Sequence, residues 1–386
     1  FVGYDLMMKS EPYISLVVTA RNDDHGGNLL RRMQIFVKGL LEQIKKYDLT
    51  AELILVEWNP VPSRPTLYQA LSWPEGPCKV RIIEVPSETH GRFRHSEGLP
   101  LFQMIAKNVG IRRAEGRFVL ATNIDLLFSD ELVRFLASKS LQPQFLYRID
   151  RYDVSSDVPT DVTIEKQLEY CQDNVIRVNR RDGTYPRDAI GWIWAWKIGR
   201  GLRFLSRCTL SLFQPWSRAK LARGVKFLKR HMFLGYPRLH TNACGDFTLM
   251  AREHWHTLRG YPELEMHSFH LDSVFCHMAH QYGLREEVLQ DPMRIYHIEH
   301  SSGWTPEGDS KMREHLRIMR IPVLDFPQFE SWAIRMQKEK RPVVFNSEEW
   351  GLASENLMEI TIDQDYCATR LDSEFPDDGK IKDVLK

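Results

Sequence analysis

Hydrophobic residues near the start of the chain form a run that predicts a strand buried on both faces. Residues Tyr13 to Ala20 read YISLVVTA, which is almost entirely apolar and rich in β-branched side chains. A parallel sheet covered by helices on both sides produces this pattern, whereas a strand with one wet face alternates. The polar segment RNDDHGGN follows, and apolar residues then recur at helical spacing from Leu29 to Ile44. The pattern therefore predicts a strand, a turn and a helix.

Three more apolar runs continue the alternation of strands and helices. They read ELILV at Glu52 to Val56, VRIIEV at Val80 to Val85 and RFVLAT at Arg117 to Thr122. A further helix is predicted over Phe102 to Arg113. The order of these elements predicts an α/β fold, a Rossmann-like, mostly parallel sheet flanked by helices.

Polar segments that directly follow the strands are the candidates for a binding site. The carboxyl ends of the strands in an open parallel sheet are the usual place for a ligand. The segments are Arg21 to Asp24, Glu57 to Asn59, and Asn123 to Asp125.

The pattern changes after residue 146 and divides the chain into four expected parts. Residues 1–146 form the first half of the sheet domain, and 147–240 form a variable region. The core pattern returns in 241–305, and 306–386 form a C-terminal extension that begins with a helix at Lys311 to Met319. This extension ends in an acidic tail.

The stretch from Ala189 to Gly245 contains no Asp or Glu and combines Lys and Arg with tryptophans and phenylalanines. Three interpretations stay open for it. It is an insertion packed by its aromatic side chains, a surface that rests on anionic lipid and reaches a lipid-linked acceptor, or a grip for an acidic saccharide. Nucleic acid is not an expected partner, because no recognised motif accompanies the charge.

Composition adds few constraints. The net charge of +1 says nothing about partners, and the six cysteines lack any paired spacing, which argues against a disulfide framework or a zinc knuckle. No run of about twenty apolar residues predicts a membrane span. We therefore expect a cytoplasmic protein, peripheral at the membrane if the lipid interpretation holds. Because the chain begins at Phe1 rather than Met, a preceding signal or anchor stays open.

Three groups of residues carry candidate chemistry. Asn123 and Asp125 follow a buried strand, where a carboxylate can hold a divalent cation together with substrate phosphates, although Asn and Asp also favour plain turns. Asp272 precedes a predicted helix that ends near Gly283, so it is either a helix cap or a general base. His297 and His300 lie at the end of a strand-like run, and alternate residues of a strand face opposite sides. We therefore expect at most one of these imidazoles to face a site.

The order and spacing of these segments resemble the GT-A glycosyltransferases, especially the inverting enzymes of family 2. The opening strand ISLVVTARN and Glu57 at the end of the second strand are similar to the nucleotide half of that family. Asn108, Gly110, Ala114 and Gly116 match its N-x-G-x-x-x-A-x-G unit, which precedes a DxD motif, here NID. Gly245, Arg252 and the segment Gly260-Tyr261-Pro262-Glu263 match its central motif, and Asp272, Gly283 and His297 match its later helix and strand.

The resemblance implies a transferase that moves a sugar from a UDP- or GDP-linked donor to a saccharide or lipid-linked acceptor with Mg²⁺ or Mn²⁺. It assigns the roles as follows: Asp272 as the general base; Arg21, Asn22, Glu57, Asn108, Asn123 and Asp125 in donor binding; Gly245 and Asp246 facing the acceptor; and Asp125 with His297 or His300 as metal ligands.

Three departures from the family pattern mark the sequence. Asn123 replaces the first carboxylate of DxD, Leu271 stands where the family has an acid, and Arg259 replaces a glycine. The alternatives are a non-catalytic sugar-binding or scaffold protein, and a sugar nucleotidyltransferase. The second alternative lacks support in RNDDHGGN, which has no basic phosphate-binding run.

Overall fold

The computed structural model describes residues 11–190, 237–300 and 309–362. Most of the acid-free stretch and the whole acidic tail after Ile362 lie outside the described residues, so the three interpretations of that stretch stay untested. The first part contains β1 (Ile14–Ala20), α1 (Leu29–Lys46), β2 (Ala51–Trp58), α2 (Leu67–Ala70), β3 (Lys79–Val85), α3 (Ser87–His90), α4 (Gln103–Arg112), β4 (Phe118–Thr122), β5 (Leu126–Phe128) and α5 (Asp130–Ala137).

The elements that follow were harder to locate from the sequence. They are β6 (Phe145–Ile149), β7 (Arg151–Val154), α6 (Ile164–Asp173), β8 (Val175–Arg180), β9 (Gly183–Pro186), α7 (Arg187–Ile190), a short 3-10 turn (Cys244–Asp246), β10 (Phe247–Ala251), α8 (Arg252–Leu258), α9 (Leu271–Tyr282), β11 (Arg285–Leu289), β12 (Ile295–Ile298), α10 (Asp309–Ile318), α11 (Phe326–Glu339) and β13 (Met358–Ile362).

In the described residues, eight strands form a mixed sheet in the order β11-β6-β10-β4-β1-β2-β3-β13. The predicted strands β4, β1, β2 and β3 lie at its centre and pair in parallel. Leu16 and Val18 pack on one side with α1, whereas Val17 packs on the other side with α4. Helices thus cover both faces, which explains why the first strand is an unbroken apolar run. The predicted α/β fold class is confirmed.

A second sheet was not predicted. Its order is β5-β12-β7-β8-β9, and α6 packs against it in a separate apolar cluster. Residues 147–188, part of the expected variable region, supply three of its strands. The chain after residue 340, expected to be part of an extension, adds a strand to the large sheet, because β13 pairs antiparallel with β3 at its edge.

No helix in the described residues is both long and apolar enough to cross a membrane.

Two glycines of the family-like motif allow close packing. A side chain at Gly110 on α4 would lie 2.5 Å from Val17, and one at Gly116 would lie 2.6 Å from the backbone nitrogen of Ser15. Glycine at these two positions lets the helix and the turn that follows it pack closely against the central strands. This part of the resemblance therefore has a structural explanation that is independent of function.

Candidate active site

The strand order brings several predicted residues together at the carboxyl ends of the central parallel strands, and this end of the large sheet is called its site edge. β1 and β4 run in parallel, so Arg21 and Asn123 both follow strand ends at the site edge. β10 runs antiparallel to β4 and begins where β4 ends, because Phe247 pairs with Thr122. The turn that carries Gly245 and Asp246 therefore lies directly beside Asn123.

Asp125 and two imidazoles form one cluster. The Oδ2 atom of Asp125 lies 3.7 Å from Nε2 of His297 and 3.4 Å from Nε2 of His300. The expectation that at most one imidazole faces the site was wrong, because β12 ends at Ile298 and His300 no longer follows strand geometry. The backbone N–H of Ile298 donates to the Asp125 carbonyl at 3.1 Å, which joins the two segments.

This cluster fits a divalent cation. One ligand atom from each of Asp125, His297 and His300 lies within 4.8 Å of the other two. The Oδ1 atom of Asp125 is buried and makes no hydrogen bond in the described residues. Burial opposes ionisation of Asp125, but His297, His300 and Arg32 outweigh it and hold the pKa of this carboxyl well below its usual range. A carboxylate with one free oxygen beside two imidazole nitrogens is a ligand set suited to a divalent cation.

Asp153, His297 and Glu299 form a second group of compatible ligand atoms, but guanidinium groups already occupy its carboxylates. Nε of Arg177 donates to Asp153 at 2.6 Å, and its Nη2 donates to Glu299. Arg151 also pairs with Asp153 at 2.8 Å. Positive charges fill the positions where a cation would bind, so the group at Asp125 is the better candidate.

The amide of Asn123 has a structural role that explains its departure from DxD. Its Nδ2 donates to Oδ1 of Asp246, and its Oδ1 accepts from Gln103 at 3.3 Å. Arg151 donates to the other Asp246 oxygen at 2.6 Å. An aspartate at position 123 would place two carboxylates within hydrogen-bonding distance, which is unfavourable. The amide is therefore suited to donate to Asp246, and both oxygens of Asp246 accept hydrogen bonds from the protein.

Asp272 lies in the first turn of α9 and approaches the backbone of Gly245. A side chain at Gly245 would lie 3.0 Å from Oδ2 of Asp272, so glycine avoids a tight contact with this carboxylate. The Oδ1 atom accepts the backbone N–H of Ser273 at 2.7 Å. The carboxylate is partly exposed at the N-terminus of a helix, where the peptide dipoles stabilise negative charge. Leu271, in the place of the family's acid, is buried in the core.

Lys107 on α4 lies near the Gly245 turn, Asp272 and Asp125, and it was not predicted from the sequence. Its fully buried ammonium donates to the Gly245 carbonyl at 2.6 Å. Burial lowers the pKa of Lys107 to about 8, while the charges of Asp246, Asp272 and Asp125 oppose this shift. All three carboxylates therefore lie within electrostatic range of one amine. The available signal was a lysine inside an otherwise buried helix segment, QMIAKNVGIR.

We expect Lys107→Met to change how stability depends on pH. The pKa of Lys107 is lower in the folded protein, so between about pH 8 and pH 10.5 the unfolded chain binds more protons. Through this group the free energy of unfolding rises with pH across that window, by on the order of 3 kcal/mol. The methionine variant should lose this rise. Urea denaturation at several pH values would measure it, with exposed Lys45→Met as the control. Equal pH dependence in wild type and Lys107→Met would contradict the assignment.

The ends of β1 and β2 form a second region at the site edge. Asn22 donates to the Pro65 carbonyl at 2.8 Å, and Glu57 accepts the Leu67 N–H at 2.8 Å. Each leaves one buried oxygen without a partner in the described residues. Burial raises the pKa of Glu57 to about 7. Arg21 donates from Nε to the Asn59 carbonyl at 2.7 Å, which fixes its stem beside them.

Asn108, another predicted donor-binding residue, is buried with both polar atoms of its amide bonded within the protein. Its amide donates to the Tyr261 carbonyl at 2.8 Å and to Glu263 at 2.9 Å, and it accepts the Tyr261 N–H at 2.8 Å. It therefore ties α4 to the Gly260–Glu263 segment. Arg259, in the place of the family's glycine, takes a left-handed conformation that favours glycine, and its guanidinium donates to the Asn346 carbonyl at 3.0 Å.

No family model matches this chain, and no curated protein does. Matches among solved structures include the crystal structure of S. aureus TarS, with 15% sequence identity and a TM-score of 0.36. That match covers 83% of this chain and 42% of the TarS chain, so the chain spans less than half of the TarS length.

Proposed function

We propose that this protein is an inverting glycosyltransferase of the GT-A type, which moves a sugar from a nucleotide-diphosphate donor to a saccharide or lipid-linked acceptor. The observation that carries the proposal is that two carboxylates in different surroundings lie on the same side of the large sheet, at the carboxyl end of β4. Asp125 lies with two imidazoles, Asp272 lies beside Gly245, and both are within electrostatic range of Lys107.

Asp125, His297 and His300 would hold the divalent cation. Bound there, a cation neutralises the negative charge that develops on a leaving diphosphate. Arg32 lies 4.0 Å from Asp125 and donates from Nη2 to the carbonyl of His25 at 2.7 Å, which holds the loop after β1 against the cluster. Arg32 thus fixes one wall of the proposed donor pocket.

Asp272 is the proposed general base. The partly exposed carboxylate can take the proton of an acceptor hydroxyl. Direct attack of that oxygen at the anomeric carbon breaks the bond to the diphosphate oxygen, releases the nucleoside diphosphate and inverts the configuration. Gly245 leaves room for the acceptor at this point. Asp246 accepts hydrogen bonds from Asn123 and Arg151, and it thereby fixes the turn that would face the acceptor. Lys107 fixes the turn by its bond to the Gly245 carbonyl.

Arg21, Asn22 and Glu57 are the proposed contacts to the nucleoside. The unpaired oxygens of Asn22 and Glu57 are available to N–H or O–H donors of a ligand, as buried polar atoms usually require a partner. Asn108 is left out of this set because its amide is bound within the protein. A lipid-linked acceptor would place the protein at a membrane surface on the cytoplasmic side.

A thermal-shift screen with Mn²⁺ tests the proposal. UDP, GDP, UDP-sugars and GDP-sugars are each added with and without the metal, and donor hydrolysis is followed for any that bind. We expect one nucleotide class to raise the melting temperature only when metal is present, since a ligand stabilises the state it binds. Metal-dependent binding without hydrolysis or transfer would favour the sugar-binding alternative. No stabilisation by any nucleotide would refute the proposal.

The ligand set also predicts a preference for Mn²⁺ over Mg²⁺. Mg²⁺ favours oxygen ligands in strict octahedral geometry, whereas two imidazoles suit a transition metal better. We expect Mn²⁺ to bind at least about tenfold more tightly than Mg²⁺. Isothermal titration calorimetry of the metal-free protein with each ion measures the ratio. Equal affinities would show that the imidazoles are not ligands.

A further inference from the structure

Asp153 is a fully buried carboxylate on β7, next to the proposed metal site but outside it. Its Oδ2 atom accepts from Nε of Arg177 at 2.6 Å and from Nδ2 of Asn179 at 3.0 Å. Nε of Arg151 lies 2.8 Å from its Oδ1. Because N–H donors converge on Oδ2 and the Arg151 guanidinium lies against Oδ1, the Asp153 carboxylate is fixed in place.

His297 lies between Asp153 and Asp125. It is the register partner of Asp153 on the neighbouring parallel strand, and its Nδ1 lies 3.2 Å from Oδ1 of Asp153. Its Nε2 lies 3.7 Å from Asp125. In the described residues, Nδ1 of His297 and Oδ1 of Asp153 are both buried, and neither makes a well-aligned hydrogen bond. A small rotation of the ring would align them.

We propose that Asp153 is a positioning residue, which accepts the Nδ1–H of His297 and thereby presents the Nε2 lone pair to a cation at Asp125. This inference rests on the proposed metal site. A neutral imidazole carries its proton on one nitrogen, and the partner of that nitrogen decides which one remains free. Partners of this kind commonly change metal affinity by about 10–100-fold when they are lost.

The arginines extend the same argument to the other side of the site. Arg151 contacts Asp153 and donates to Asp246 at 2.6 Å. Asp246 in turn accepts from Asn123, two residues before Asp125. A series of charged and polar contacts therefore links the orientation of His297 to the turn beside Asp272.

The tautomer of His297 can be observed in the wild-type protein without metal. Long-range ¹H–¹⁵N correlation spectra of the imidazoles, recorded at about pH 9 where histidine is neutral, separate a protonated from an unprotonated nitrogen. His297→Gln assigns the signal. We expect Nδ1 of His297 to carry the proton. A proton on Nε2 would overturn the proposal, whether or not any variant folds.

Asp153→Asn tests the consequence for metal binding. The amide can offer an N–H to Nδ1, which favours the tautomer with the proton on Nε2 and blocks that lone pair. We expect the dissociation constant for Mn²⁺ to rise about 10–100-fold. The matched control is Glu299→Gln, which removes the other carboxylate partner of Arg177 and should change the constant less than about twofold.

The outcomes separate this inference from the proposed function. If the wild-type protein binds no Mn²⁺, the metal site is refuted, and the tautomer still decides the role of Asp153 in orienting His297. If wild type binds Mn²⁺ and Asp153→Asn binds equally well, the positioning role is refuted and the metal site stands. A loss of the same size in Glu299→Gln would also refute it, because the effect would then follow from disturbing Arg177.

Discussion

Asp272→Asn should lower turnover by about 10²–10⁴-fold, the usual contribution of a general base, while donor and metal binding stay close to wild type. The asparagine keeps the size of the side chain and can still accept the N–H of Ser273, so the first turn of α9 is retained. It cannot take a proton from an acceptor hydroxyl. Steady-state transfer rates at saturating donor, together with calorimetry for nucleotide and Mn²⁺, measure the two effects separately.

The matched control is Glu253→Gln. Glu253 also lies in the first turn of a helix, α8, but its side chain is 69% exposed. Loss of a favourable charge at a helix N-terminus costs both variants about 0.3–1 kcal/mol of stability, and the control should keep wild-type turnover. Transfer by Asp272→Asn at the wild-type rate would refute the assignment of the base.

Asp125→Asn is expected to weaken Mn²⁺ binding by about 100-fold or more, because it removes the single carboxylate of the ligand set. Turnover at a fixed, moderate metal concentration should fall on the order of 10²–10³-fold, since charge on the leaving diphosphate is no longer neutralised. Calorimetry with Mn²⁺ and a metal titration of the transfer rate provide the measurements.

Two comparisons make this result specific. High Mn²⁺ concentrations should restore part of the activity of Asp125→Asn and none of the activity of Asp272→Asn, because only the first defect lies in metal affinity. Glu299→Gln serves again as the control, since it alters the neighbouring group of possible ligands. A larger loss of Mn²⁺ affinity in Glu299→Gln than in Asp125→Asn would move the metal site to Asp153.

The main strands and the first long helix could be predicted from local pattern alone. An apolar run of strand length identifies a doubly covered strand wherever it lies in the fold, so β1, β2 and β4 were located within a few residues. The second sheet could not be found in this way. Its strands are short. β7 pairs with β8 nearby in the sequence, but β12 pairs with β7 across more than a hundred residues.

The candidate site divides along the same line. Asn123, Asp125 and Asp272 were identified because each follows or begins an element with a clear local signal. Lys107 and Asp153 were missed, since nothing near a buried lysine or a strand aspartate in the sequence indicates which distant groups surround it. His300 was underrated because the end of β12 at Ile298 depends on its pairing with β5 and β7.

The sequence by itself determined the α/β class, the positions of the central strands and the segments that follow them, because side-chain periodicity and turn residues act over a few neighbours. The tertiary structure decided which of those segments share one edge and which groups hold one another there. The antiparallel course of β10 brings Asp246 to Asn123, and the pairing of β12 with β7 sets His297 between Asp125 and Asp153. Such contacts depend on chain topology, which residue patterns over a few positions do not encode.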